Sequence, residues 1–455
     1  MTFASQNSWR AVLAVLASLV VVFALAAPAR AQVLLRDAEI EAWLHDYTDP
    51  LLEAAGVPVG GVEFLLVGDR SFNAFAGPGI LGMHTGTITA ADMPNEVEGV
   101  LAHEVGHLAG AHVVRGQEAM ARASRPALMS LVLGAALVAA GAPDAGLAAI
   151  GIGQRVGMGS YLSHSRGQES AADQAALTYL DAVGSSGEGL VETFRKLSNQ
   201  QLMSSRRADP YLQTHPLGAA RVTALRSRVE SQPHYEAKDT EEEILKLRMI
   251  QAKINGFMDA PYTTLRRYPL SDQSAPARYA RAVAYYRGSE LDKATKEIDR
   301  LIEEQPDNPY FAELKGQMLF EHGRVRESVG PHRRSVDLAP DAALLRINLA
   351  RALVATEERA SVEEAIGILG VALDMEPKNG FGWTELARAQ ARLGDEALAS
   401  LAQAEAFYAF GDLPEAHRFA TRAHGMLEVG TRPHQQALDI LNASRDAAAR
   451  ARGRR

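Results

Sequence analysis

The chain has 455 residues, enough for two or three domains, and its 47% apolar and 22% charged residues fit a globular protein rather than a disordered one. A formal net charge of −8 argues against nucleic acid as a main partner. With no cysteine, disulfide staples and thiolate metal ligands are excluded.

Residues 1–31 read as a signal peptide. Arg10 precedes an apolar run from Ala11 to Ala26, and Ala29-Arg30-Ala31 forms an A-x-A cleavage site before Gln32. Export is expected. The apolar run falls short of the ~20 residues a spanning helix prefers, so an uncleaved anchor is the lesser alternative. "RDAEIEAWLHDYTDPLLEAAG" has helical spacing and ends at Gly56. Residues 62–69, 73–76 and 79–89 read as short strands broken by glycines. A helix follows, with Asp92 as expected N-cap and Pro94 in its first turn, and its periodic run continues past His112.

That helix carries "LAHEVGHLAGAH". His103, Glu104 and His107 match H-E-x-x-H. Residues four apart share a helix face, so the two imidazoles can bind one Zn2+, and Glu104, one residue round, is placed to act as general base on a water. The bland alternative is a surface helix with two solvated histidines. Gly110 fits the longer H-E-x-x-H-x-x-G-x-x-H pattern, but position 113 is Val113 and the histidine comes one place early, at His112. On an unbroken helix His112 points away from the metal; a bend at Gly110 could bring it back, but His112 is expected off the metal. A third ligand must come from elsewhere. Glu169 and Asp173, four apart on a predicted helix in "SHSRGQESAADQAALTYL", could serve as ligand and as partner to a ligand histidine. A solvated acidic face is the alternative.

Residues 127–152 form two apolar blocks split by "GAPDAG". They are expected as a buried helical hairpin, with a membrane-contacting flap as the sharper reading. A charged stretch, 231–270, reads as a linker running into a helix. Beyond it Pro306 and Pro340 are 34 apart and Pro377 follows 37 later, each with a small residue twelve places earlier: Ala294, Ser328, Ala365. This is the tetratricopeptide signature. Helices over 396–410, 413–426 and 434–450 continue the stack.

Together these residues resemble peptidase family M48, a gluzincin group, and in particular its periplasmic, tetratricopeptide-bearing β-barrel assembly-enhancing branch. The resemblance rests on "RDAEIE", "FNAFAGPGILGMHTGTI", "NEVEGVLAHEVGHLAGAH", "SRGQESAAD" and "THPLGAAR", and spans nearly the whole chain after the signal. It implies a mainly α fold with a small β-sheet: a gluzincin-like metalloprotease domain over 32–230, then the linker and helix of 231–270, then a repeat solenoid over 271–450. It implies one zinc per chain on His103, His107 and Glu169, Glu104 as catalytic base, and Asp173 behind the ligands. It makes Asn73, Ala74, Phe75 and Ala76 an edge strand able to pair with an extended substrate; an ordinary buried strand end is the alternative. It lets His215, by itself an ordinary turn residue before proline, take the fourth metal position and hold the enzyme latent. Stabilising a developing oxyanion is the competing role for His215. Arg221 is a candidate ion-pair anchor for that loop. The implied partners are unfolded or stalled proteins, among them outer-membrane β-barrels and their assembly machinery, with peripheral membrane contact through 127–152. The rival expectation is a chaperone or adaptor whose metal site is structural or plugged.

Overall fold

The structure, a computed structural model, describes residues 33–112, 115, 116, 118–120, 124, 128–131, 165–203 and 210–452. The expected signal segment lies outside them, as does the stretch 127–152 apart from the helical residues 128–131.

Strand β1 (Leu34–Leu35) leads into helix α1 (Ala38–Ala54), capped by the Asp37 carboxylate on the amides of Glu39 and Ile40. Strands β2 (Glu63–Val67), β3 (Ala74–Gly77) and β4 (Ile80–His84) complete a four-stranded sheet of order β1-β2-β4-β3. β2 and β4 are parallel, and the two outer pairings are antiparallel. β3 therefore lies at an edge, with Phe75 opposite Gly82, whose missing Cβ leaves room for the phenyl ring.

The strand expected over 79–89 stops at His84, and Thr85–Ala90 form a short helix, α2. The threonines and glycine there bond to the β2–β3 connection instead of to a further strand. Thr85 Oγ1 donates to the Asp69 carbonyl, and Thr87 Oγ1 bonds both the amide and the carbonyl of Asn73. Gly86 sits so close that a Cβ would lie 2.3 Å from the Arg70 carbonyl oxygen.

Helix α3 (Pro94–Ala109) begins after Met93, not on an Asp92 cap; Asp92 instead pairs with Lys196 at 2.5 Å. From Pro94 to His107 every α3 residue except Asn95 is buried, so this helix runs through the core. It ends at Ala109, with Gly110 as C-cap and Ala111 turned to φ 49°. The expected continuous run past His112 is therefore broken. The helix over 165–182 (α4), α5 (Glu188–Met203), the short α6 (Pro210–Thr214) and α7 (Ala219–Val229) surround it.

Helix α8 (Glu241–Met258) starts on a capping box between Thr240 and Glu243. The charged stretch thus runs into a helix that serves two cores. Leu247, Ile250 and Ile254 pack with core residues of α1, the sheet and α3, while Met249 packs with Tyr279, Val283 and Ile298 of the repeats. At the same seam the buried Lys253 ammonium meets Asp37 at 2.7 Å and Glu39 at 3.0 Å, and the Tyr279 hydroxyl donates to Glu39 at 2.6 Å.

The short helix α9 (Pro261–Arg267) packs on α10, and from there the helices form pairs of a tetratricopeptide-type stack: α10 (Ala275–Arg287), α11 (Leu291–Glu304), α12 (Pro309–Glu321), α13 (Val325–Leu338), α14 (Ala343–Ala355), α15 (Arg359–Met375), α16 (Gly380–Leu393), α17 (Glu396–Ala409), α18 (Leu413–Met426) and α19 (Arg432–Arg452). Ala294, Ser328 and Ala365 are each fully buried in the second helix of a pair. A small residue there lets neighbouring helix backbones approach closely. Among the described residues no helix is long and apolar enough to cross a membrane.

Candidate metal centre

Two glycines of α3 decide what packs on it. A Cβ on Gly99 would lie 2.7 Å from the Leu190 amide nitrogen of α5, and one on Gly106 would lie 2.8 Å from the Ala172 carbonyl oxygen of α4. Gly106 is the residue just before His107, so the same stretch that presents the histidines admits the helix that carries Glu169. That close approach brings four donors together. Among the described residues, ligand atoms of His103, His107, Glu169 and His215 all lie within 4.8 Å of one another, and all four residues are buried.

His103 Nε2 stands 3.1 Å from His107 Nε2 and 3.5 Å from Glu169 Oε2, and His107 Nε2 is 3.4 Å from Glu169 Oε1. His215 closes the group. Its Nδ1 lies 3.4 Å from His103 Nε2 and 3.2 Å from Glu169 Oε2, while its Nε2 lies 3.6 Å from Glu104 Oε1. The His215 ring is stacked on Tyr211, centroids 4.5 Å apart, one helical turn before it.

A second layer supports the first. Asp173 Oδ1 is 3.1 Å from His103 Nδ1, on the side of the ring away from the cluster. The Arg221 guanidinium donates to both Asp173 oxygens at 2.7 Å, reaches Glu169 Oε2 at 2.8 Å, and donates to the Pro216 carbonyl at 3.2 Å. Its cation also lies over the Phe194 ring, which meets His103 edge-on. Arg221 thus ties the loop after His215 to α4 by a fork geometry a lysine could not supply.

Charge follows this arrangement. Burial pushes His103 down, but Asp173 and Glu169 together overcome it and lift its pKa to about 9. His107 is pushed down to about 2 by burial and by the neighbouring His103 charge. Burial opposes the charge on Glu169, yet His103 and His215 hold it well below the usual carboxylate range. Burial likewise opposes Asp173, and Arg221 and His103 keep it ionised. The neutral state suited to a ligand imidazole is thus already favoured at His107.

Glu104 is 1% exposed, and neither of its oxygens has a hydrogen-bond partner among the described residues. A buried carboxylate is costly without a partner. Two imidazole nitrogens and a carboxylate facing one another at 3.1–3.5 Å, with a carboxylate alongside that has no hydrogen bond among the described residues, fit a divalent cation and a water better than any pairing among themselves.

The structure brings His103, Glu104, His107, Glu169, Asp173, His215 and Arg221 to one place. Residues 74–76 lie in β3, which packs on α3, while Asn73 just precedes the strand and its carbonyl accepts the His84 amide. Phe75 is half-buried, neither solvated nor a core residue. His112 is outside the four-donor group but is buried, with its Nδ1 3.0 Å from His107 Nδ1. The bend at Gly110 weighed as the alternative is present and sets His112 beside His107, outside the donor group. The sequence reading does not contain the parts played by Tyr211, Phe194 and Gly106, for which the i, i+4 spacing of Tyr211 and His215 is the available signal.

A family scan matches residues 38–229 to "Peptidase family M48". Over 376 residues the chain is 28% identical to the "Beta-barrel assembly-enhancing protease" of Yersinia pestis, covering 81% of this chain and 76% of that one. It is 26% identical to the protein of the same name from Escherichia coli K12, over 81% and 75% of the two chains. The "Metalloprotease LoiP" of Escherichia coli is 28% identical over 189 residues, 40% of this chain and 69% of that one. Among solved structures, "MamA MSR-1 C2" overlaps 39% of this chain and 94% of its own at 20% identity and TM-score 0.29. Residues 38–229 of this chain are thus similar in sequence to the metallopeptidases of family M48, and the chain over most of its length to the relatives named as β-barrel assembly-enhancing proteases.

Proposed function

We propose that this chain is a zinc endopeptidase of the bacterial periplasm that removes stalled or misassembled outer-membrane proteins, held latent at rest by His215. The observation that carries the reading is the convergence of His103 Nε2, His107 Nε2 and Glu169 beside a buried Glu104 carboxylate with no hydrogen bond among the described residues. His103, His107 and Glu169 would hold one zinc. When bound, such an ion acts as a Lewis acid, lowering the pKa of water toward ~7 and polarising a scissile carbonyl. Glu104, buried beside these ligands, would serve as general base, taking a proton from such a water and passing it to the departing amine. Asp173 keeps the His103 ring oriented, and Arg221 keeps Asp173 and Glu169 in place.

An extended substrate would add to the edge of β3 that no described strand pairs with, through the backbone of residues 74–76 just after the already bonded Asn73, a mode that tolerates many sequences. Stalled β-barrel chains expose strands and suit such an edge. The repeats supply a scaffold for partly folded chains. The substrate class rests on the names of the Yersinia and Escherichia relatives together with this edge and scaffold.

His215 supports latency because it lies in the donor group with its Nε2 toward Glu104, where a water and a substrate carbonyl would need space. Opening requires the 215–218 segment to swing away, a hinge-type change. The reading is checked by metal analysis and by degradation of casein and of an unfolded β-barrel protein by the wild type, Glu104→Gln and His215→Ala. Cleavage by the wild type that rises in His215→Ala and vanishes in Glu104→Gln is expected. Aggregation prevented with no cleavage by any of the three would leave the chaperone alternative instead.

A further inference from the structure

We propose that His112 is a positioning residue for the metal centre, its imidazole accepting the Nδ1–H of His107 and so fixing the ring that presents Nε2 to the ion. The inference rests on the zinc reading above and concerns a residue that the H-E-x-x-H motif does not include.

Four observations converge on it. First, His112 Nδ1 lies 3.0 Å from His107 Nδ1, with the two rings nearly perpendicular, so a lone pair of one can meet the N–H of the other. An imidazole whose Nε2 lone pair goes to a metal carries its proton on Nδ1, which makes His107 the donor and His112 the acceptor. Second, the backbone is bent to achieve this. α3 ends at Ala109, and Ala111 takes φ 49°, an unfavourable setting for a residue with a Cβ. That turn swings His112 back from the side it would occupy on a continuing helix. Third, Gly110 makes room for the ring, since a Cβ there would lie 2.3 Å from His112 Nε2. Its own φ of −72° suits any residue, so the glycine is explained by the ring and not by backbone conformation. Fourth, the Gln168 side-chain amide donates to the His112 carbonyl at 2.9 Å. Gln168 adjoins Glu169, so the turn that holds His112 is pinned to the helix that brings the carboxylate ligand.

The two motif histidines are thus backed by different chemistry. His103 Nδ1 faces the Asp173 carboxylate, whereas His107 Nδ1 faces an imidazole. With Glu104, Glu169 and Asp173 already buried around the site, a neutral acceptor orients His107 without adding a fourth buried negative charge.

The experiment measures the rate at which purified full-length protein loses zinc to a chromophoric chelator, together with the Tm of the metal-free form. The variants are His107→Ala, His112→Leu, His112→Asn and Gly110→Ala. Leucine fills the space without an acceptor; asparagine places Oδ1 near the position of Nδ1; alanine at 110 pushes the ring away while the helix end stays. His112→Leu and Gly110→Ala are expected to lose zinc about 10–100-fold faster than wild type, and His112→Asn to stay near it, with the metal-free Tm of His112→Leu not lowered. Wild-type rates in His112→Leu and Gly110→Ala would overturn the proposal. So would equally fast loss from the leucine and asparagine variants, which would mean that the ring only packs. Should His112→Leu fail to fold, Gly110→Ala and His112→Asn still decide the matter. If the wild type and His107→Ala lose zinc alike, the zinc assignment itself fails, and this proposal fails with it.

Discussion

Helix α3 of the peptidase half and the second helices of the repeat pairs are both buried at helical spacing, but with opposite contents. α3 carries two histidines and three glutamates into the core; Glu96 and Glu98 find hydrogen-bond partners in Lys196, Asn95 and Ser185, whereas both Glu104 oxygens end without one among the described residues. The matching repeat positions are Ala294, Ser328 and Ala365, and the Ser328 hydroxyl is satisfied by the Val325 carbonyl one turn back. In the repeats, burial is spent on close packing. In α3, part of it is held as unsatisfied polar groups, which is destabilising in itself and useful only if a reaction employs them. Helix α8 and the Lys253 cluster join the two, so that a half built for chemistry rests on a half built for packing.

The contrast is broken most sharply at Glu104. Glu104→Gln is expected to lower casein cleavage by roughly 10²–10⁴-fold, the usual contribution of a general base, while zinc content stays at one ion per chain. Since it relieves a buried charge, Tm is expected to rise or hold; a fall in Tm would mean that Glu104 is structural.

The repeats should respond the other way. Ala365→Leu overpacks a fully buried site and is expected to lower stability by about 1–3 kcal/mol in denaturant unfolding, with zinc retention unchanged. Loss of zinc in step with that destabilisation would show that the two halves do not behave separately.

His215→Ala sharpens the comparison within the peptidase half, because His215 is a buried polar group proposed to restrain rather than react. Casein cleavage is expected to rise about tenfold, as expected if a restrained state dominates at rest. Unchanged or lower cleavage would assign His215 to catalysis itself.

The smallest effect is expected at the seam. Burial raises the Glu313 pKa from 4.5 to about 7, against the pull of Lys253, and the Asn348 amide donates to it at 3.0 Å. The folded state therefore binds a proton that the unfolded state has already lost between those values. Stability from this group is present below pH 4.5 and is lost as pH rises through about 7. The Tm of wild type relative to Glu313→Gln should accordingly fall between about pH 5 and 8. A pH-independent difference would remove Glu313 from the account.

Legibility in the sequence followed the range of each interaction. The 34-residue period and the H-E-x-x-H spacing are repeated local patterns, and the structure places their residues on common helix faces. Strand 79–89 was overextended, and the Asp92 cap misplaced, because the partners that decide them, Asp69, Asn73 and Lys196, are remote in sequence. His112 was read on an unbroken helix, and a single turn at Gly110 and Ala111 changed its surroundings.

From the sequence alone, helical periodicity determined which histidines share a face, where a base stands beside them, and where small residues recur through the repeats. Only the tertiary structure decided that His112 stands behind His107, that Arg221 bridges Asp173 and Glu169, and that Tyr211 stacks under His215. Helix faces repeat every few residues and can be counted along a chain. Chain reversals and contacts across fifty residues or more depend on what else packs there, and no local count contains that information.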